Sequence, residues 1–136
     1  MTRILGSCMV KTFVLVCLLF GFVTAEAEKL KVVTTTTMIY DAVKQIGANR
    51  VQVEGLMGAG VDPHLYKPAA SDVIKLTKAD IVFYNGLALE GKMADLFSRL
   101  QKQGKPVYAV TETISKAKLL KPDGVQGHWD PHVWGD

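Results

Sequence analysis

Hydrophobic positions change their spacing along the chain, and these changes predict alternating strands and helices. Four short runs are rich in β-branched and aromatic residues, which indicates strands at residues 30–36, 51–57, 80–84 and 106–110. Between these strands, apolar residues recur three and four positions apart, which is typical of helices that bury one face. The chain therefore predicts the element order β-α-β-α-β-α-β.

The three predicted helices have recognisable ends. The apolar positions of the first are Ile39, Ala42, Val43 and Ile46, and those of the third are Leu89, Met93, Leu96, Phe97 and Leu100. We expect Thr36 or Thr37 to cap the first helix and Ser71 to cap the second. Gly47 and Gly104 are expected to follow the last turns of the first and third helices.

This alternation predicts an α/β fold, with a four-stranded parallel sheet and helices on both faces. The predicted strands are mostly apolar, as expected for a sheet that is covered on both sides. In open sheets of this kind, ligands bind beyond the carboxyl ends of the strands. The loops after the second and fourth strands, at residues 58–68 and 111–131, therefore lie where a ligand site is expected.

The first 25 residues are predicted to be a signal peptide that is removed on export to the periplasm. An apolar run at residues 12–23 is too short to span about 30 Å of hydrocarbon comfortably. Val23-Thr24-Ala25 supplies the small residues that cleavage requires, and a membrane anchor is the alternative interpretation. Residues 26–136 are then expected to form one domain.

Removal of this segment changes the chemistry available to the domain. Cys17 lies inside the apolar run and Cys8 before it, which argues against a lipid anchor. Both cysteines leave with the segment, so the domain has neither a disulfide nor a thiolate ligand. Removing Arg3 and Lys11 from the 16 basic residues leaves 14 against 13 acidic residues. This near balance of charge argues against a nucleic-acid partner.

A tripeptide that occurs twice predicts half of a metal site. Asp62-Pro63-His64, in the loop after the second strand, recurs as Asp130-Pro131-His132 in the segment after the fourth strand. Proline stiffens each turn, and an aspartate can hold the ring of a ligating histidine. Imidazole is a ligand for Zn²⁺, Mn²⁺ and related ions. We therefore predict that His64 and His132 are metal ligands.

Other candidate residues and chemistries are less well supported. His128 is predicted to be a surface histidine, because Pro131 argues against a helix that would align it with His132. Trp129, Trp134 and Tyr66 either pack their loops onto the domain or shield the site from water. The chain contains no Gly-x-Ser-x-Gly, no phosphate-binding Gly-Lys-Ser/Thr and no dinucleotide loop, so an enzyme is not predicted.

Three segments in order resemble the substrate-binding proteins of zinc/manganese ABC importers. They are LKVVTTTTMIYDAVKQIG, GLMGAGVDPHLYKPAASDVIKLTKADIVFYNGLALE and WDPHVWGD, and the resemblance extends from Lys29 to Asp136. It implies a two-lobed, non-enzymatic protein that binds Zn²⁺ or Mn²⁺ between its lobes and delivers the ion to a membrane permease. His64 and His132 are the ligands that the resemblance assigns to the N-terminal lobe.

The resemblance also implies what this sequence does not contain. The C-terminal lobe, with a His or Glu and then an Asp as further ligands, is expected beyond Asp136, so the sequence is interpreted as a truncated half. Two imidazoles do not complete the shell that Zn²⁺ or Mn²⁺ prefers, so weak binding is expected. The short basic segment 116–127 replaces a histidine-rich acidic loop and favours manganese or mixed specificity. An exported adhesin is the alternative function.

Overall fold

The structure is a computed structural model that describes residues 27–122 and 127–135. The strands are β1 (Leu30–Thr34), β2 (Val51–Gly55), β3 (Ile81–Tyr84) and β4 (Val107–Ala109), and the helices are α1 (Thr37–Gly47), α2 (Ala70–Lys78) and α3 (Ala94–Lys102). Short 3₁₀ turns occupy Ala48–Arg50, Gly91–Met93, Lys116–Lys118 and Val133–Gly135. The predicted signal peptide lies outside the described residues.

The strands form one parallel sheet in the order β2-β1-β3-β4. Val32 of β1 pairs with Val53 on one side and with Ile81 on the other, and Val82 of β3 pairs with Val107. β2 is added on one side of β1, and β3 and β4 are added on the other side. The order of strands therefore switches between β1 and β3, and such switch points open a crevice at the carboxyl edge of a parallel sheet. The predicted parallel α/β fold is confirmed.

Helices cover both faces of this sheet, as predicted. Neighbouring residues of a strand point to opposite faces, so Val32 and Val33 belong to different layers. The layer with Val33 contains the buried core, in which valines of three strands pack against α2 and α3; the core consists of Val33, Met57, Leu76, Ala79, Val82, Met93, Phe97, Leu100 and Val107. Val32 lies on the other face, beside Ile39 of α1.

The α1 face is much more open than the helical pattern predicts. Ile39 is buried, but Ile46 is 76% exposed. An open apolar groove, here called the α1 groove, runs between α1 and the sheet and is lined by Val32, Ile39, Ile46, Phe83, Val110, Val133 and Trp134, among others. Within the described ranges, none of the helices combines the length and hydrophobicity that crossing a bilayer demands.

Strand ends differ from the prediction by one or two residues. β1 stops at Thr34 and β2 at Gly55, although backbone N–H groups of Leu56 and Met57 still donate to Thr34 and Thr35 at 2.9 and 3.0 Å. The segments that follow β1 and β2 therefore stay paired for two more residues as they leave the sheet. The threonines after β1 are consequently buried beside the start of the loop that follows β2.

Helix starts are corrected at α2 and α3, whereas α1 has its N-cap at Thr36, one of the two predicted positions. Thr36 occupies the N-cap of α1, but its hydroxyl makes no capping hydrogen bond. α2 is capped at Ala69 rather than Ser71, and the Asp72 carboxylate accepts the backbone N–H of Ala69 at 2.8 Å. α3 begins at Ala94 instead of Leu89, because the positive φ values of residues 87 and 88 (52° and 63°) are followed by Glu90 with a non-helical ψ of 49° and by the 3₁₀ turn Gly91–Met93.

Gly104 ends α3 as predicted, with φ of 79°, whereas the prediction for Gly47 is wrong. Gly47 is the last residue of α1 with φ of −75°, and the positive φ falls on Ala48. Glycine is required at position 47 for a different reason. A Cβ there would lie 2.3 Å from Cγ2 of Val51, so the turn into β2 is too tight for a side chain.

Gly86→Ala is expected to destabilise the fold by about 1–3 kcal/mol, because it combines a clash with backbone strain. Gly86 has φ of 89°, and an added Cβ would lie 2.6 Å from the Thr111 hydroxyl and 2.9 Å from the Cβ of Ala109. Urea unfolding followed by circular dichroism measures the change. Gly91→Ala is the control, since nothing lies within 4 Å of a Cβ at that position. Equal stabilities of the two variants would contradict the prediction.

Candidate metal centre

The two predicted ligands meet at the carboxyl edge of the sheet. Nε2 of His64 lies 3.5 Å from Nε2 of His132, and the ring centroids are 5.5 Å apart at an interplanar angle of 58°. When two nitrogens bind the same tetrahedral zinc ion, each at about 2.0–2.1 Å, the nitrogens lie about 3.4 Å apart. The observed spacing therefore fits two imidazoles that face one common ion.

The repeated tripeptide forms the same turn in both loops. Oδ1 of Asp62 accepts the backbone N–H of His64 at 2.9 Å, and Oδ1 of Asp130 accepts the backbone N–H of His132 at 2.9 Å. Each aspartate thus bonds to the residue two positions ahead, across a proline whose φ is fixed. The sequence repeats because the same local geometry presents a histidine twice.

The second tripeptide also fixes its imidazole ring. Nδ1 of His132 lies 2.6 Å from Oδ1 of Asp130. A carboxylate only accepts, so Nδ1 carries the proton and the lone pair is on Nε2, the atom that faces His64. Two hydrogen bonds hold the pKa of Asp130 below its ordinary value of 3.8: the larger effect comes from the backbone N–H of His132, and the next from the His132 ring. Asp130 therefore stays ionised and keeps Nε2 ready to bind a cation.

The two tryptophans have different surroundings. The Trp134 ring packs edge-on against His132, with centroids 5.2 Å apart at 70°. Trp129 instead lies under the Lys121 ammonium group, which is 4.7 Å from its ring centroid. Trp134 is therefore the tryptophan that limits movement of the His132 ring, and Trp129 packs the loop.

Tyr66 ties the first tripeptide loop to α2. Its hydroxyl donates to Oδ2 of the buried Asp72 at 2.7 Å and lies 3.4 Å from the carbonyl oxygen of Leu56. Burial, followed by the hydrogen bond to Asp72, raises the pKa of Tyr66 from 10.0 to about 12. Tyr66 is thus a structural anchor two residues beyond His64, in agreement with the packing alternative.

Tyr66→Phe is expected to destabilise the domain by about 1–2 kcal/mol, because Asp72 stays buried and loses a donor. The pKa of Tyr66 is raised on folding, so the tyrosine contributes stability that is complete below pH 10 and is lost as the pH rises towards 12. Urea unfolding at pH 8 and pH 11.5 measures both effects. Tyr108→Phe is the matched control because Tyr108 is 50% exposed. A stability difference between Tyr66→Phe and wild type that does not shrink at high pH would contradict this assignment.

The sequence did not reveal a group of buried polar residues behind the site. Glu90 is 3% exposed, and its carboxylate accepts the Thr35 hydroxyl at 2.6 Å and the backbone N–H groups of Asn85 and Gly86 at 2.7 and 3.2 Å. Nδ2 of Asn85 donates to the carbonyl oxygen of Pro131 at 3.0 Å. The one feature of the sequence that could have pointed to this group is the position of Asn85, which directly follows β3 at the edge where ligands bind.

The described residues provide the two predicted ligands and not a full set. Across residues 27–122 and 127–135, no group of three His, Cys, Asp or Glu side chains is arranged to hold an ion. His128 is exposed to solvent. The side chains of His64 and His132 are also exposed, so one side of the pair is open to further ligands.

Comparison with known proteins decides the family. The family described as "Zinc-uptake complex component A periplasmic" matches residues 32–136. The chain belongs to this family. Its members are solute-binding components of transport systems and not a class of enzymes, and the predicted resemblance is confirmed.

The relatives have been named for several different metals. The chain is 50% identical over 107 residues to the manganese-binding lipoprotein MntA of Bacillus subtilis, covering 79% of this chain and 34% of that protein. It is 49% identical over 118 residues to the zinc-binding protein TroA of Treponema pallidum, covering 86% and 37%. The solved structure of periplasmic TroA from that organism has a TM-score of 0.73 at 50% identity, over 79% of this chain and 38% of that one.

The chain spans about a third to two fifths of the length of the relatives just described. The prediction against a lipid anchor runs against the name of MntA, which is called a lipoprotein, whereas TroA is called periplasmic. Both names place these relatives outside the cytoplasm, and neither supports the adhesin alternative.

Proposed function

We propose that this chain is the metal-capturing N-terminal lobe of an extracytoplasmic protein that delivers Zn²⁺ or Mn²⁺ to an ABC importer. The observation that carries the proposal is the 3.5 Å separation between Nε2 of His64 and Nε2 of His132. These nitrogens are the proposed first two ligands. The ion is cargo that is bound and released, and no catalytic step is proposed.

The chemistry of the pair suits a transition-metal ion. Neutral imidazole binds Zn²⁺ well and Mn²⁺ more weakly, because Mn²⁺ prefers oxygen ligands, so the further ligands decide between the two ions. Asp130 increases the basicity of His132 through the hydrogen bond to Nδ1, which strengthens binding to any of these cations. The names of MntA and TroA, which refer to manganese and to zinc respectively, support the same pair of ions.

The remaining ligands are proposed to come from a second lobe. A tetrahedral ion needs two more donors than His64 and His132 provide, and a manganese ion needs still more. The open side of the imidazole pair is where such donors would approach. Closure of a second lobe over this edge would complete the shell and remove water from the ion. The closed complex would then dock on the membrane permease that transports the ion.

Radioactive uptake in the source organism tests this function. Deleting the gene is expected to reduce accumulation of ⁵⁴Mn or ⁶⁵Zn at low external metal. Re-expressing the wild-type gene should restore uptake, and the gene carrying His64→Ala or His132→Ala should not. His128→Ala is the matched control and is expected to restore uptake fully. Unchanged accumulation of both isotopes in the deletion strain would overturn the proposed function.

A further inference from the structure

Asn85 connects the sheet to the segment that presents His132. Its side-chain nitrogen Nδ2 donates to the carbonyl oxygens of Gly86 at 3.1 Å and of Pro131 at 3.0 Å. Pro131 is the residue directly before His132 and lies 46 positions from Asn85 in the sequence. The hydrogen bond therefore joins the end of β3 to the middle of the second tripeptide.

Asn85 itself is held firmly in place. It is 3% exposed, its backbone N–H donates to Glu90 at 2.7 Å, and its carbonyl oxygen accepts the Thr111 hydroxyl at 2.6 Å. The backbone N–H of Thr111 donates to the same oxygen at 3.2 Å. Since both partners of the Asn85 amide are carbonyl oxygens, its orientation is settled, with the NH₂ group towards Pro131.

The segment around His132 has few other hydrogen bonds to the sheet, although Val133 and Trp134 line the α1 groove beside it. The backbone N–H of Asp130 donates to Leu120 at 2.9 Å, which lies in the loop that leads to this segment. Apart from the contact between the two imidazoles, the Asn85–Pro131 bond is the one hydrogen bond that links residues 127–135 to a residue of the sheet edge, within the described part of the chain. Asn85 therefore supplies the directional contact that fixes this segment at the sheet edge, because apolar packing alone does not fix a turn in one position.

We propose that Asn85 is a positioning residue for metal capture, which sets the distance between the two imidazoles by holding the Pro131 carbonyl oxygen at the end of β3. This role rests on the proposed function of the pair. It differs from that of Asp130, which turns the His132 ring but is carried by the same loop. Asn85 fixes where the whole turn lies.

Tryptophan fluorescence tests this role without any metal. The chain has two tryptophans, Trp129 and Trp134, and both lie in the segment that Asn85 holds. Asn85→Asp places a carboxylate against two carbonyl oxygens, and Asn85→Ala removes the donor. In both variants of the purified chain we expect acrylamide to quench the fluorescence more strongly than in wild type, with a shift of the emission to longer wavelength.

The matched control is Thr111→Val. It removes a buried hydrogen bond to the Asn85 carbonyl oxygen but leaves the Thr111 backbone N–H and the Asn85 side chain in place. We expect it to lower the urea midpoint about as much as Asn85→Ala, while its quenching stays at the wild-type level. Quenching that is unchanged in Asn85→Ala and Asn85→Asp, or raised equally in Thr111→Val, would overturn the positioning role.

Zn²⁺ titration then connects position to capture. Residues that hold ligands in place change metal affinity by about 10–100-fold when they are replaced, so the Kd of Asn85→Ala is expected to rise at least tenfold while that of Thr111→Val does not change. If alanine at His64 and at His132 leaves Zn²⁺ binding unaltered, the proposed function fails, and the fluorescence result still decides the position of the segment. Wild-type Zn²⁺ affinity in Asn85→Ala together with increased quenching would overturn the role in capture.

Discussion

Replacing His64 or His132 with alanine is expected to remove Zn²⁺ binding from this chain. Structural zinc sites bind with about 10–16 kcal/mol shared among four ligands, so each ligand contributes about 2.5–4 kcal/mol. That is about 60- to 700-fold in Kd. The two imidazoles face each other at 3.5 Å, so either one alone leaves a single donor that competes poorly with water.

The measurement is an NMR titration of the histidine ring signals with Zn²⁺ at high protein concentration. Wild type is expected to bind one ion per chain more weakly than micromolar, and to shift the signals of His64 and His132 together. His128→Ala is the matched control, because it removes an exposed histidine from the same segment. Signals of the two rings that shift at different metal concentrations would contradict a shared ion.

The strands and the imidazole pair were predictable because both follow from local chemistry. Buried parallel strands require continuous apolar runs, and Val32, Val33 and Val82 lie in such runs. The turn formed by the repeated tripeptide was predictable because its aspartate bonds to a backbone N–H only two residues away, so the turn needs no distant partner. The strands of a parallel sheet end at the same edge, and this rule alone was enough to predict that the two turns lie close together.

Features that depend on distant partners were not predictable in this way. The helix pattern placed Leu89 correctly in the interior, but it could not show that Leu87 and Ala88 adopt positive φ. The α1 pattern predicted a buried face, yet burial requires a neighbour as well as apolar residues, and Ile46 is exposed. Likewise the Asn85–Pro131 bond joins residues 46 apart, and nothing near either residue indicates it.

Glu90 is the clearest example, because a charged residue beside a predicted helix would ordinarily be assigned to the surface. Its burial is explained by donors that the fold delivers from two loops. The Thr35 hydroxyl comes from the end of β1, and the N–H groups of Asn85 and Gly86 come from the turn after β3. The carboxylate thereby joins the ends of the two central strands, behind the proposed metal site.

Glu90→Ala is therefore expected to destabilise the domain by about 3–5 kcal/mol, a large part of the total stability of a small domain. Three donors lose their acceptor at once, and a cavity is left where the side chain is buried. Urea unfolding followed by far-ultraviolet circular dichroism measures the loss. Glu112→Ala, at an exposed glutamate, is the control and is expected to change stability by less than about 0.5 kcal/mol.

The same variant is expected to loosen the proposed metal site, because it removes the shared acceptor of the Asn85 and Gly86 N–H groups and so frees the turn that carries the Asn85 side chain. In Thr111→Val, by contrast, the Thr111 N–H still holds the Asn85 carbonyl oxygen. At low temperature without urea, where the variant remains folded, tryptophan quenching should therefore rise as it does for Asn85→Ala. Glu90→Gln keeps the volume but presents an NH₂ group and one oxygen to the three donors, so its stability is expected to lie between those of Glu90→Ala and wild type. A Glu90→Ala domain that unfolds at the wild-type urea concentration would show that the buried carboxylate does not hold the two strand ends together.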